Sequence, residues 1–245
     1  MQLFIEKDYS ALSNKAAQIF ANEIRQKPDL VIGLATGGTP KGTYKELIRM
    51  HREEGLDFSK IVSFNLDEYL GLTPDNPQSY KYYMFENLFN HINIQRENVH
   101  IPDGLVSDIN SYCKKYDKEI EKYGGIDLQL LGIGVNGHIG FNEPADEIIV
   151  DTHLTDLSKD TIKANSRYFD SADQVPTKAI TMGIGSIMKA KKILLLASGQ
   201  AKAEIMAKLL NNNTITTKTP ASLLMLHQDV TIIMDEEAAS GIKNI

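Results

Sequence analysis

Short apolar runs rich in β-branched residues alternate with longer stretches in which apolar positions recur every three or four residues. That is the pattern of strands alternating with helices around a mainly parallel sheet. The runs predict strands over 30–35, 61–66, 126–133, 178–182, 193–197 and 230–234. The helical spacing predicts helices over 10–26, 39–54, 79–90, 108–122, 200–211 and 236–240. An uninterrupted Ile193-Leu194-Leu195-Leu196 implies burial on both faces of the sheet. No repeat, low-complexity tract or Pro/Gly/Ser-rich linker divides the chain, so 1–245 reads as a single α/β domain, with the polar 211–219 stretch as an internal connection. Residues 151–176, rich in Thr, Ser, Asp and Lys, lack a strong strand and read either as a plain surface connection or as a candidate lid over a site.

Composition narrows the function classes. The 26 Lys and Arg against 32 Asp and Glu leave a net charge of −6, so there is no general basic footprint for nucleic acid and any anionic ligand needs a local device. The single Cys113 excludes an intramolecular disulfide framework and a cysteine zinc site, and fits a reducing, cytoplasmic setting. No apolar run reaches membrane-spanning length, and residues 1–10 are too polar for a signal peptide.

In a parallel sheet, ligands bind beyond the carboxyl ends of the strands. The first such loop reads Gly33-Leu34-Ala35-Thr36-Gly37-Gly38-Thr39-Pro40. Thr39 as N-cap and Pro40 at the first helical position would present unpaired backbone N–H groups at a helix N-terminus, where phosphate is held by donors and dipole. It is not a P-loop, because Gly33 and Gly38 have the spacing but are followed by Thr39 and Pro40 rather than by Lys and Ser/Thr. An ordinary strand-to-helix turn explains the same residues equally well. The second loop places Asp67 and Glu68 after a buried strand, where one of the two carboxylates can face a site as a general base with a raised pKa. The third, Gly132-Ile133-Gly134-Val135-Asn136-Gly137-His138-Ile139-Gly140-Phe141-Asn142-Glu143-Pro144, contains G-x-G-x-x-G. Gly140 and Pro144 prevent the helix that a dinucleotide fingerprint needs, so the Gly132/Gly134 pair is expected to let the backbone approach a small ligand. His138 lies near Asn136 and Glu143 and can exchange protons at neutral pH. Two cations complete the set: Arg167, with its fork for phosphate oxygens, and Lys202 near a helix start, where a bound anion would offset the unfavourable dipole.

Taken in order, Gly33 to Pro40, Phe64 to Gly71, Gly132 to Pro144, Ala164 to Phe169 and Ser198 to Ala203 resemble the glucosamine-6-phosphate deaminase (isomerase) family over nearly the whole chain. Asn142-Glu143-Pro144 after Gly137-His138, and Asp67-Glu68-Tyr69, carry the resemblance. It implies a Rossmann-like three-layer sandwich and the conversion of D-glucosamine 6-phosphate and water to D-fructose 6-phosphate and ammonia. Asp67 is then similar to the base that moves the C2 proton to C1, and His138 to the group that opens the pyranose ring, supported by Asn136 and Glu143. Thr36, Gly37, Gly38, Thr39, Arg167 and Lys202 match the family's phosphate site, and neither a metal nor an organic cofactor is implied.

Many family members have Asp at the position of Asn136, which cannot supply negative charge and is expected to orient His138 by hydrogen bonding. Larger members extend further at the carboxyl end and form allosteric hexamers, so a monomer or small oligomer is expected here. The related 6-phosphogluconolactonases share the glycine loops but lack the Phe-Asn-Glu-Pro ending. A non-catalytic sugar-phosphate sensor would need neither a base nor a ring-opening group. His51, His91, His100, His153 and His227 show no metal-ligand spacing, Cys113 reads as a packing residue, and Tyr80, Tyr82, Tyr83, Phe85 and Phe89 read as helix packing.

Overall fold

A computed structural model describes residues 1–166, 169, 171 and 174–243. Strand β1 (Gln2–Glu6) leads into helix α1 (Tyr9–Gln26), whose N-cap Asp8 accepts the Ala11 amide at 2.8 Å. There follow β2 (Val31–Leu34), α2 (Lys41–Glu54), β3 (Val62–Asn65), β4 (Asp67–Tyr69), α3 (Tyr80–Asn87), β5 (Val99–His100), α4 (Ile109–Lys122) and β6 (Leu128–Gly132). The second half supplies β7 (His153–Asp156), α5 (Lys159–Asn165), β8 (Lys178–Thr181), α6 (Ile184–Met188), β9 (Lys192–Ala197), α7 (Ala203–Asn211), β10 (Val230–Asp235) and α8 (Glu236–Ala239).

Seven strands pair in the order β1-β10-β9-β6-β2-β3-β5, every neighbouring pair parallel. Because successive side chains of a strand point to opposite faces, β9 splits its apolar run between two cores. Ile193, Leu195 and Ala197 join α4, α6, α7 and α8 on one face, while Leu194 and Leu196 join α1, α2 and α3 on the other. The Rossmann-like three-layer sandwich is thereby realised.

The chain crosses from β2 to β3 over one face and from β6 to β9 over the other. The sheet therefore reverses its winding between β2 and β6, and their carboxyl-end loops diverge around a crevice, the usual ligand position in such sheets.

Three differences from the sequence reading have physical causes. The 178–182 run does not join the main sheet. As β8 it pairs antiparallel with β4 and β7 in a second, three-stranded sheet, with Asp67 opposite Thr181. Residues 151–176 do contain a strand, β7, whose side chains are only half-buried and so leave no apolar run to read. The first strand, β1, has the exposed, mixed pattern of a sheet edge. Helix 39–54 starts at Lys41 without a side-chain cap, and the 200–211 helix opens with a 3-10 turn over Gln200–Lys202.

At the amino-terminal edge of the sheet, opposite the crevice, the Asp127 carboxylate accepts the Val31 amide at 2.8 Å and Lys191 Nζ at 2.6 Å, and pairs with Lys27. Burial works to raise its pKa, but the two lysines and the amide outweigh it and hold the group below its usual range. Asp127→Ala is expected to cost about 2 kcal/mol at pH 7, read by urea denaturation, because it strands these donors. Since the folded pKa is lowered, this stabilisation is complete above about pH 4 and fades as the pH falls through the folded value. Equal stability of the two proteins at pH 7 would contradict this account.

Candidate active site

Four carboxyl-end loops meet at the crevice. Asp67 opens β4 immediately after β3 and is 6% exposed. Burial, and then the neighbouring charge of Glu68, push its pKa up to about 8. Glu68 points elsewhere: its carboxylate accepts the amides of Tyr69, Tyr80 and Lys81, each at 2.9 Å, and so serves the N-terminus of α3. Only one of the adjacent carboxylates faces the crevice, as strand geometry requires.

The loop after β6 folds back across Asp67. Gly140, at φ +57°, sits so close that a methyl on its Cα would lie 3.1 Å from Thr181 Oγ1 and 3.6 Å from Asp67 Oδ2. Phe141 N donates to Thr181 Oγ1 at 3.0 Å, and Asn142 Nδ2 donates to Met182 O at 3.0 Å, which ties the loop to β8. Asn136, His138 and Glu143 form one hydrogen-bonded chain. Asn136 Nδ2 donates to Glu143 Oε2 at 2.8 Å, and Asn136 Oδ1 lies 2.8 Å from His138 Nδ1, with Glu143 Oε2 3.4 Å from the same nitrogen. Glu143 can only accept, so the amide presents its NH₂ to Glu143 and its oxygen to the imidazole. That oxygen requires a proton on Nδ1 and leaves Nε2 as the acceptor. Burial would raise Glu143, but His138, Thr161 and Asn136 outweigh it and hold the carboxyl down to about 2. Gly134 serves this ring rather than a ligand: a Cβ there would meet the imidazole at 2.3 Å.

The loop after β2 turns at Gly37, whose φ of +106° disfavours any side chain. Thr39 makes no capping hydrogen bond; the N-cap position is held by Pro40. The amides of Thr36, Gly37, Gly38 and Thr39 nevertheless donate to no group among the described residues, so the loop presents a run of open N–H donors. Lys202 closes the 3-10 turn after β9 and directs Nζ to Ile133 O, 2.6 Å away at the end of β6. Its loop is anchored by Asp235, which accepts the Gly199 amide at 2.9 Å. Arg167 lies outside the described residues.

Several side chains that periodicity assigned elsewhere also reach the crevice. Tyr80 packs on Tyr69 and Phe141 and is hydrogen-bonded with Thr36, and Tyr83 Oη donates to Gly37 O at 2.6 Å. From α5, Thr161 donates to Glu143 Oε1 and Asn165 Nδ2 to Tyr69 Oη at 2.8 Å. Nothing in the spacing of Thr161 marks it, because its partner is 18 residues away across a turn. Cys113 is buried, and burial pushes its thiol up to about 11, as suits a packing residue. His100 stacks on Phe64 at 4.5 Å, also away from the crevice.

A buried carboxyl, an imidazole hydrogen-bonded through Asn136 and a loop of open amides are gathered where a parallel sheet reverses its winding, an arrangement of α/β proteins that can move protons on a small anionic ligand. The chain belongs to the family of glucosamine-6-phosphate isomerases and 6-phosphogluconolactonases, whose match spans residues 6–233. It is 59% identical over 242 residues to a glucosamine-6-phosphate deaminase of Thermoanaerobacter sp. (strain X514), covering 99% of this chain and 95% of the relative. The same identification is carried by a Clostridium perfringens (strain 13 / Type A) protein that is 56% identical over 243 residues, 99% of this chain and 100% of the relative. A solved structure of a monomeric glucosamine-6-phosphate deaminase superposes with a TM-score of 0.96 at 49% identity, covering 98% of this chain and 100% of that one. The 6-phosphogluconolactonase of Trypanosoma brucei, at 21% identity and a TM-score of 0.76 over 99% of this chain and 98% of its own, shares the fold.

The raised pKa of Asp67 has a stability consequence. Above about pH 4 the unfolded chain ionises this carboxyl while the folded chain retains the proton, so its contribution to stability falls with rising pH until about 8. Asp67→Asn removes that dependence. Its thermal midpoint is expected to exceed that of the parent at pH 8, on the order of 5 °C, and to match it at pH 4. A variant less stable than the parent at pH 8 would show that burial of Asp67 is not costly.

Proposed function

We propose that the chain deaminates glucosamine 6-phosphate, giving fructose 6-phosphate and ammonia, in the catabolism of amino sugars. The observation that carries this reading is the Asn136–His138–Glu143 chain on a loop that abuts Asp67: two separate proton-moving groups, as an aldose–ketose isomerisation of a cyclic sugar needs. Whole-chain identity of 53–59% to proteins named for this reaction supports it.

Neutral His138 Nε2 takes the proton of the anomeric hydroxyl and returns it to the ring oxygen, opening the pyranose. Glu143, ionised at neutral pH, stabilises the transient imidazolium through Asn136 and directly. Asp67, as carboxylate, then removes the C2 proton to give an enolamine and delivers that proton to C1. Water adds to the resulting C2 imine and ammonia departs. The substrate's C2 ammonium beside Asp67 would favour the ionised base. The open amides of Thr36, Gly37, Gly38 and Thr39, with Lys202 and Arg167, take the phosphate, which fixes the far end of the open chain so that C1 and C2 stay over the base. No step calls on a metal or organic cofactor.

Residues 151–176 act as the lid of this site, with Thr161 and Asn165 as its contacts to Glu143 and Tyr69. The chain works as a monomer or small homo-oligomer, the first supported by the relative described as monomeric, and in the cytoplasm.

The purified protein, treated with chelator, is expected to release ammonia from glucosamine 6-phosphate. Hydrolysis of 6-phosphogluconolactone without ammonia release would favour the lactonase reading instead. Asp67→Asn should abolish turnover yet keep sugar-phosphate binding, and normal turnover by that variant would sink the proton path. In the parent, kcat/KM should fall about tenfold per pH unit below a pKa near 8, because the free enzyme must first ionise Asp67. Asn136→Asp is expected to retain substantial turnover with a displaced pH profile. Complete inactivity of that variant with an intact fold would show that the amide does more than orient His138.

A further inference from the structure

From Ala35 to Thr39, each carbonyl of the glycine loop after β2, apart from that of Thr36, is held by a tyrosine hydroxyl. Tyr44 Oη donates to Ala35 O, Tyr83 Oη to Gly37 O at 2.6 Å, and Tyr9 Oη is shared between Gly38 O and Thr39 O at 3.0 Å each. Three helices supply them: Tyr9 begins α1, Tyr44 lies in α2 and Tyr83 in α3. Tyr9 Oη also accepts the Gly42 amide at 2.7 Å, so its hydroxyl is fixed from both sides.

A trans peptide is planar, with its C=O and N–H directed to opposite sides. The described chain has no cis peptide. Holding the Ala35, Gly37 and Gly38 carbonyls therefore sets the direction of the next N–H in each plane, those of Thr36, Gly38 and Thr39. These are among the amides that lack a partner in the described residues. A donor on the carbonyl also polarises the N–H of the same peptide group, which strengthens it toward an anion. Without such clamps a glycine pair would rotate freely, and an anion would have to order it at the expense of affinity.

We propose that Tyr9 and Tyr83 are positioning residues for the phosphate of the substrate: they touch no reacting atom, and they preset the amide donors of the Thr36–Thr39 loop by clamping its carbonyls. This rests on the reading of that loop as the phosphate site. The two are independently placed, since Tyr9 is 37% exposed on α1 and Tyr83 half-buried on α3.

The test uses Tyr9→Phe, Tyr83→Phe and the double variant, which remove only the hydroxyls. Inorganic phosphate is titrated calorimetrically into each protein, and steady-state kinetics are run with glucosamine 6-phosphate. Each single change is expected to raise the phosphate Kd and the KM in parallel, about fivefold, as one net hydrogen bond is worth. The double variant should lose more, with kcat within about twofold of the parent, the mark of lost uniform binding. Tight phosphate binding by the parent and unchanged affinity in both single variants would overturn the clamp while leaving the phosphate site in place. A fall in kcat and thermal midpoint with phosphate affinity intact would also overturn it, since that is what a merely structural tyrosine predicts. If the parent binds no phosphate in competition with substrate, the loop assignment fails and the clamp with it.

Discussion

Parallel pairing of β2 with β6 is the constraint on which the rest of the molecule depends. All seven strands of the sheet run the same way, so every carboxyl-end loop emerges on one edge and every helix must return the chain to the other. Where the winding reverses between β2 and β6, no crossover covers the gap. The loop carrying Thr36 to Thr39 and the loop carrying Asn136 to Glu143 are left facing each other. The crevice is a by-product of burying two apolar cores on opposite sides of one sheet, not a separate construction.

Opposite edges of the sheet treat charge in opposite ways. At the amino-terminal edge, Asp127 is surrounded by donors, its carboxyl held low, and the group stabilises the junction of β2 and β6. At the carboxyl-terminal edge, Asp67 is buried with no cation or hydrogen-bond donor beside it among the described residues, and its carboxyl is held high. The first arrangement secures the scaffold; the second is a cost that a merely structural carboxylate would have no reason to bear. Glu68 shows the contrast in partners within one dipeptide: it is as deeply buried, and although burial raises its pKa too, the three amides it accepts oppose that rise. The same logic separates carbonyls from amides in the glycine loop, where tyrosines satisfy the acceptors and leave the donors open.

The small antiparallel sheet of β4, β7 and β8 is what converts a general α/β frame into this site. It carries Asp67 and Thr181 opposite each other and packs Tyr69, Phe141 and Tyr80 beneath α5. Through α5, Thr161 and Asn165 reach Glu143 and Tyr69, so this helix is joined to the imidazole–carboxylate chain by side-chain hydrogen bonds and not by packing alone.

Much of this was legible in the chain itself. Continuous apolar runs such as Ile193 to Leu196 determine a doubly buried parallel strand, because both faces must be covered, and Gly140 and Pro144 rule out a helix over His138 to Glu143. Local chemistry likewise singled out Asp67, His138, Glu143 and the Thr36 to Thr39 loop, since residues that act together in a turn are close in sequence. Tertiary structure decided what depends on long-range partners. Half-buried β7 and edge strand β1 have no periodic apolar signature, and Asp67 acquires its high pKa only when burial removes its water. Gly134 is required by an imidazole ring that folds back onto it. Tyr9 and Tyr83 look like helix residues until the fold brings their hydroxyls to carbonyls 29 and 46 positions away, because a hydrogen bond across helices leaves no period in the sequence.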